Sequence, residues 1–162
     1  MEVVEGEAAV ADVDAFVEEV AAVGEEYGST VQAFDARYVV GREHLERAVA
    51  LAERARERGE AIADDPAVEV LLYAAGRRQI TDALEMGVSE GACPVVAVAV
   101  GGDEEGAAAA LRDLLEPADT LGAYDPDRVR VFFDITDEEL AATEGGLADV
   151  VLERVALLTV EK

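Results

Sequence analysis

The sequence VLLYAAGRRQITDAL, residues 70–84, joins an uninterrupted apolar run to a glycine and two adjacent arginines. Pro66, just upstream, is typical of the first position of a helix, where its missing N–H leaves no hydrogen bond unmade. Apart from Glu69, residues 67–75 carry no charge, and a helix that is apolar nearly all round is buried. The pattern therefore predicts a buried helix that stops at Gly76, with a buried strand as the alternative.

The helix stop is followed directly by Arg77, Arg78 and Gln79, and a shorter helix is predicted from about Arg78 to Met86. Helix starts leave backbone N–H groups unpaired and carry positive potential, so acidic residues are expected there. Two cations work against that potential, and local rules tend to be broken at functional sites. The residues alone leave two interpretations open: a turn that binds an anion, or surface arginines that pair with nearby carboxylates.

Upstream of this stretch the pattern predicts two helices and a strand. An amphipathic helix begins after Asp12 and ends near Gly24 or Gly28, and residues 31–35 alternate as in a strand. A second helix follows and stops at Gly59. Its apolar stripe consists of Leu45, Ala48, Val49, Ala52 and Ala55.

Downstream, CPVVAVAVGG (residues 93–102) predicts a core strand, and residues 103–116 a helix. Residues 125–143 predict two short helices, or a strand and a helix, and the last segment a helix that passes into a terminal strand around Leu157–Val160. Helices and strands do not alternate strictly, so the expected fold is α+β (mixed α/β): one compact domain over residues 1–162, with a small mixed sheet packed by several helices.

Composition shows an acidic but foldable chain. Its 162 residues include 37 Asp and Glu against 13 Lys and Arg, a formal charge of −24, and 51% are hydrophobic. High charge produces disorder only when hydrophobicity is low. At about 1 M salt the Debye length is about 3 Å, which removes most of the self-repulsion. We therefore expect a protein from a high-salt cytosol; the alternative is an acidic surface adapted to a basic partner.

Few residues have the spacing of a catalytic or metal site. His44 is the only histidine, interpreted as a surface or capping residue, and Cys93 is interpreted as a small buried hydrophobe. There is no zinc-ligand spacing and no phosphate-binding glycine loop, so we predict no catalytic residues, metal or cofactor. The N-terminus has no signal-peptide pattern and no segment is long enough to span a membrane, so a soluble, cytoplasmic protein is expected.

Three segments together resemble a known family: VGREHLERAVALA (40–52), VEVLLYAAGRRQITDALEMGV (68–88) and LADVVLERVALLTVE (147–161). In this order and spacing they are similar to the small regulatory subunit of the KEOPS complex, also described as the PRPK-binding protein family, over residues 2–161. The resemblance implies a subunit without chemistry of its own. Such a subunit binds the small atypical kinase of the complex, contacts other KEOPS subunits indirectly, and captures the single-stranded CCA end of tRNA for threonylcarbamoylation of adenosine 37.

The resemblance favours RNA as the ligand of the arginine turn. From the motif and its local geometry we expect Arg77 and Arg78 to face the tRNA tail, Gln79 to hydrogen-bond a base edge, and Gly76 to let the backbone approach the RNA closely. Tyr73 is expected to offer a stacking surface if it is exposed. The apolar C-terminal segment is expected to complete the core in part and to face the kinase in part; its residues are Val151, Val155, Leu157, Leu158 and Val160. The alternative from a different class is a small acidic enzyme that acts on an unidentified metabolite.

Overall fold

The centre of the fold is a three-stranded antiparallel sheet in the order β1-β3-β2. The computed structural model describes residues 1–161. β1 is Glu2–Val10, β2 is Thr30–Asp35 and β3 is Gly91–Val100. β3 pairs with both neighbours, so that Ala97 lies opposite Val4 of β1 and also opposite Ala33 of β2.

β3 is almost continuously apolar because both of its faces are buried. Val96 and Val98 join the core on one side of the sheet, and Cys93, Val95 and Ala97 join the core on the other. Side chains alternate along a strand, so a central strand covered on both faces has no position for a polar residue. The core strand is confirmed, as is the burial of Cys93.

One face of the sheet is covered by α1 (Val13–Tyr27) and α5 (Glu104–Asp113). The carboxylate of Asp12 accepts from the N–H of Ala15, 3.2 Å away, and α1 ends at Gly28 with φ of 64°. Both ends of α1 therefore follow the local signals in the sequence. The core on this face consists of small side chains, chiefly valine and alanine.

The other face is covered by three helices: α2 (Arg42–Glu57), α3 (Pro66–Ala75) and α8 (Leu147–Glu161). The predicted apolar stripe of α2 is buried throughout. α3 is buried from Glu69 to Ala75 and contacts α2, α8 and β2. The interpretation of residues 67–75 as a buried helix is therefore confirmed over that of a buried strand.

Shorter elements complete this second face. α4 (Ile80–Ala83) runs into a 3-10 turn at Leu84–Met86, and another 3-10 turn lies at Ala36–Tyr38. Residues 125–143 form two short helices, α6 (Pro126–Phe132) and α7 (Asp137–Ala142). This confirms the first of the two predictions for that stretch, two helices, over a strand and a helix. None of the helices within residues 1–161 is long and apolar enough to cross a membrane.

The α+β class is confirmed, but several details of the prediction are wrong. The sheet is antiparallel throughout and not mixed. The predicted terminal strand at Leu157–Val160 is the last part of α8, because Val151, Val155 and Leu158 repeat at helical spacing and pack on one side. β1 was not predicted, since its glutamates interrupt the apolar pattern. The helix expected from Arg78 begins at Ile80.

Candidate binding surfaces

The arginine turn is formed by the end of α3. Gly76 has φ of 60°, and the N–H of Arg77 donates to the carbonyl of Leu72 over 3.0 Å. A Cβ at Gly76 would lie 3.1 Å from the backbone oxygen of Arg154 in α8. Glycine is thus required here by the left-handed backbone and by close packing of α8. The close approach at Gly76 that the sequence analysis expected of RNA is made by α8.

Arg77 is half-buried and held by an aromatic residue of α6. Its guanidinium carbon lies 4.9 Å from the centroid of the Phe132 ring, and Nη2 donates to the backbone oxygen of Phe132. A guanidinium over an aromatic face is attracted by the ring quadrupole. Arg77 is therefore held by an aromatic ring and a backbone carbonyl. Among the described residues it is not held by a carboxylate, as one of the two interpretations left open had it.

Residues of the turn line two different grooves. The larger, about 580 Å³, is lined by Arg78 and Gln79 together with Glu60, Ala61, Ile62 and Thr159. The smaller, about 250 Å³, is lined by Arg77 and Phe132 together with Thr81, Asp82, Glu85 and Val131. Arg78 and Gln79 are exposed. The turn therefore directs its two arginines into different grooves.

Tyr73 does not belong to this surface. It lies on the buried side of α3 and is 1% exposed. A base could not stack on its ring without displacing the helix, so the expectation that Tyr73 offers a stacking surface is wrong. Apart from Glu69, its neighbours in α3 are apolar, and such a pattern predicts burial.

The C-terminal segment divides into core and surface residues. Val151, Val155 and Leu158 are buried in the cores, whereas Leu157 is 39% exposed and Val160 is 80% exposed. The buried three lie on one side of α8, as the helical period requires. Of the five residues expected at a kinase interface, the structure leaves Leu157 and Val160 accessible to a partner.

Comparison with known families identifies the chain. Residues 10–159 match the family described as Kinase binding protein CGI-121. The chain belongs to this family. No curated protein matches it significantly. The resemblance that the three sequence segments gave is therefore confirmed at the level of the family.

In this CGI-121 protein a buried histidine supports the arginine turn. His44 has no exposed surface; its Nδ1 accepts from the N–H of Val40 over 3.2 Å, so Nε2 carries the proton and donates to the carbonyl of Ala74 over 2.8 Å. Burial lowers the pKa of His44 to about 4. His44 was interpreted as a surface or capping residue. The surface position is wrong, whereas its bond to the N–H of Val40, just before α2, agrees with the capping interpretation. Its spacing of four residues from Ala48 was the missed signal.

A buried glutamate fixes the wall of the larger groove. The carboxylate of Glu69 accepts from the N–H of Ile62 over 3.0 Å and from that of Ala63 over 2.9 Å. Glu69 is fully buried in α3, and a buried carboxylate requires such donors. Its signal in the sequence was a single charge inside an apolar helix. The segment between α2 and α3 is therefore held in place beside Arg78.

Arg154 ties α8 to the elements behind the turn. Its Nε donates to the carbonyl of Phe133 over 3.0 Å, and its Nη2 forms a 2.6 Å ion pair with Glu139 of α7. The hydrogen bond to Glu139 raises the pKa of Arg154, and Arg154 lowers the pKa of Glu139.

Within residues 1–161 no group of three or more His, Cys, Asp or Glu side chains could hold a metal ion.

Proposed function

We propose that this CGI-121 family member is the accessory subunit of a KEOPS complex. In this role it binds the small atypical kinase of the complex and the 3′ CCA end of tRNA, and it supports threonylcarbamoylation of adenosine 37 by other subunits in the cytoplasm. It contributes binding and no chemistry of its own. The observation that carries the RNA part is the turn at Gly76–Gln79, which directs two arginines into separate grooves.

The turn suits a single-stranded RNA end better than a duplex. Single-stranded RNA is recognised by stacking of unpaired bases on aromatic rings or guanidinium planes and by hydrogen bonds to base edges. Arg77 offers a guanidinium already fixed on Phe132, and Gln79 offers an exposed amide that both donates and accepts. A tail of a few nucleotides would cross the turn from one groove to the other.

The acidity of the chain determines which terms supply affinity. Because bound counterions are released, the logarithm of the binding constant falls by about 0.7 for each tenfold rise in salt concentration and each neutralised phosphate of a single strand. In molar salt that contribution is small, and the repulsion from surrounding carboxylates is screened as well. Affinity would therefore come from stacking, worth about 1–3 kcal/mol per base, and from base-edge hydrogen bonds.

The kinase surface would lie at the end of α8. Leu157 and Val160 are large aliphatic side chains exposed on the same terminal turn. Exposed aliphatic side chains grouped on one surface are typical of protein interaction sites. The kinase-binding description of the family supports a partner of this kind.

Two measurements on the wild-type chain test the proposal. The first is a titration of tRNA with an intact CCA end and of the same tRNA with the end removed, at several KCl concentrations. We expect preferential binding of the intact tRNA with a shallow salt slope. The second is co-elution with the atypical kinase in size-exclusion chromatography. Equal affinity for both tRNAs would contradict the RNA part, and separate elution would contradict the kinase part.

A further inference from the structure

The smaller groove combines a stacking surface with two acceptors. Arg77 is held over Phe132 on one side, and Asp82 and Glu85 come from α4 and the 3-10 turn that follows it. These two carboxylates are three residues apart, a spacing that places side chains on the same face of a helical turn. Glu85 is hydrogen-bonded to the hydroxyl of Tyr38, and within residues 1–161 neither carboxylate forms an ion pair with an arginine. Asp82 and the remaining lone pairs of Glu85 are therefore the acceptors that face the groove.

Carboxylates at this position would oppose a phosphate but suit the edge of a base. A cytosine presents its N4 amino group as a donor and an adenine its N6 amino group, and Asp and Glu accept from such groups. Uracil presents a carbonyl oxygen instead, which a carboxylate repels. An acidic wall would therefore favour a base with an exocyclic amino group, because the one donor on the pairing edge of uracil, N3–H, lies between two carbonyl oxygens that a carboxylate repels.

The size and the walls of the groove suit one base. Its volume of about 250 Å³ lies below the 300–1,000 Å³ of pockets that hold drug-sized ligands. The guanidinium of Arg77 is fixed by Phe132 before any ligand binds, so little side-chain freedom is lost on stacking. Val131, 81% exposed beside the groove, offers an apolar contact.

We infer that this groove selects one nucleobase with an exocyclic amino group, with Arg77 as the stacking surface and Asp82 and Glu85 as acceptors of the amino hydrogens. The inference rests on the proposed function and deepens it, because every base of a CCA end carries such an amino group. It also gives the acidic residues near the turn a positive role in RNA binding.

The test compares tRNA ending in CCA with the same tRNA ending in UUA, by fluorescence anisotropy at one KCl concentration. The wild-type protein is expected to prefer CCA by about 5- to 150-fold, the range of a good base contact. The Asp82→Asn/Glu85→Gln variant is expected to bring this ratio close to one, because an amide accepts from cytosine and also donates to uracil. The Glu105→Gln/Asp113→Asn variant of α5, which removes the same charge from exposed positions on the other face, should keep the wild-type ratio.

Several results would overturn the inference. If the groove variant binds both tRNAs more tightly and keeps the ratio, the carboxylates only repel RNA. If the groove variant keeps the ratio but no longer co-elutes with the kinase, the groove belongs to a protein interface. A wild-type protein that prefers intact to trimmed tRNA but does not separate CCA from UUA would overturn the inference and leave the proposed function standing. Equal binding of intact and trimmed tRNA would overturn both.

Discussion

The two faces of the sheet are built by different rules. On the face of α1 and α5 the core consists of valine, alanine and other apolar side chains, and both helices begin at a capping aspartate. On the face of α2, α3 and α8 two ionisable side chains, His44 and Glu69, are fully buried. Buried polar groups are costly unless they are hydrogen-bonded, and these two are satisfied by backbone groups of Ala74 and of Ile62 and Ala63. Asp35 of β2, 2% exposed, is paired instead with Arg37, two residues away.

Exposed apolar residues show the same asymmetry. Of the seven large hydrophobic side chains that are most exposed in the described part of the chain, Val17 lies on α1 and the other six belong to the second face. These six are Ile62, Ile80, Leu84, Val131, Leu157 and Val160. The surfaces proposed above for RNA and for the kinase lie on the face of α2, α3 and α8, among these exposed side chains.

The largest effect is expected when the two sides of α8 are compared. Leu158→Asp places an unpaired carboxylate in the core and should cost more than about 4 kcal/mol of stability, enough to unfold the domain. Leu157→Asp, one residue away but exposed, should remain folded and fail to co-elute with the kinase. Circular dichroism and size-exclusion chromatography check both variants. A folded Leu157→Asp variant that still co-elutes would show that this residue is not part of the interface.

A smaller effect is expected from the buried histidine. The pKa of His44 is about 4, against 6.5 for an ordinary histidine, so the unfolded chain binds a proton at pH values where the folded chain does not. The neutral form of His44 therefore contributes to the free energy of unfolding, fully above pH 6.5 and less and less as the pH falls towards 4. Between pH 7 and pH 4.5 the loss should be on the order of 2–3 kcal/mol.

Urea unfolding of the wild-type protein and of His44→Gln isolates this effect. Glutamine retains a donor and an acceptor but does not titrate, and the titration of the carboxylates is common to both proteins. The stability advantage of the wild type over the variant should therefore shrink as the pH falls. An advantage that is constant with pH would mean that the proton of His44 is not coupled to folding.

The effect of salt should be smaller again and should involve both faces. Screening of the −24 charge is expected to stabilise the folded protein in molar KCl by about 1–2 kcal/mol. For a chain of this size each kcal/mol raises the Tm by about 2–4 °C, so the Tm should rise by several degrees. Thermal melts at low and high KCl measure this shift. A Tm that is unchanged or falls with salt would contradict the high-salt interpretation of the composition.

The features that could be predicted from the sequence are helix starts and stops, which neighbouring residues determine. The cap at Asp12, the start at Pro66 and the stop at Gly76 follow from neighbouring residues and are present in the structure. The partner of Arg77 could not be predicted, because Phe132 is 55 residues away and meets it only after α6 packs. The turn was found because two arginines at a predicted helix start work against the helix dipole. In the structure that helix begins at Ile80, so the arginines instead follow the C-terminus of α3, where cations are favoured.

The missed elements depend on tertiary pairing. β1 becomes a strand because β3 pairs with it along its whole length, although Glu5 and Glu7 interrupt its apolar pattern. His44 and Glu69 are satisfied by backbone groups of other segments, Ala74 for the first and Ile62 for the second. No property of their own segments indicates those partners.

The central claim is that the arginine turn captures the CCA end, and one titration tests it most directly. Intact and trimmed tRNA are titrated into the wild type, Arg78→Glu and, as a control for charge, Arg112→Glu on the exposed side of α5. Circular dichroism establishes that all three are folded. The account predicts that the wild type and Arg112→Glu prefer intact tRNA and that Arg78→Glu binds both tRNAs equally. A folded Arg78→Glu variant that keeps the full preference for intact tRNA would contradict it.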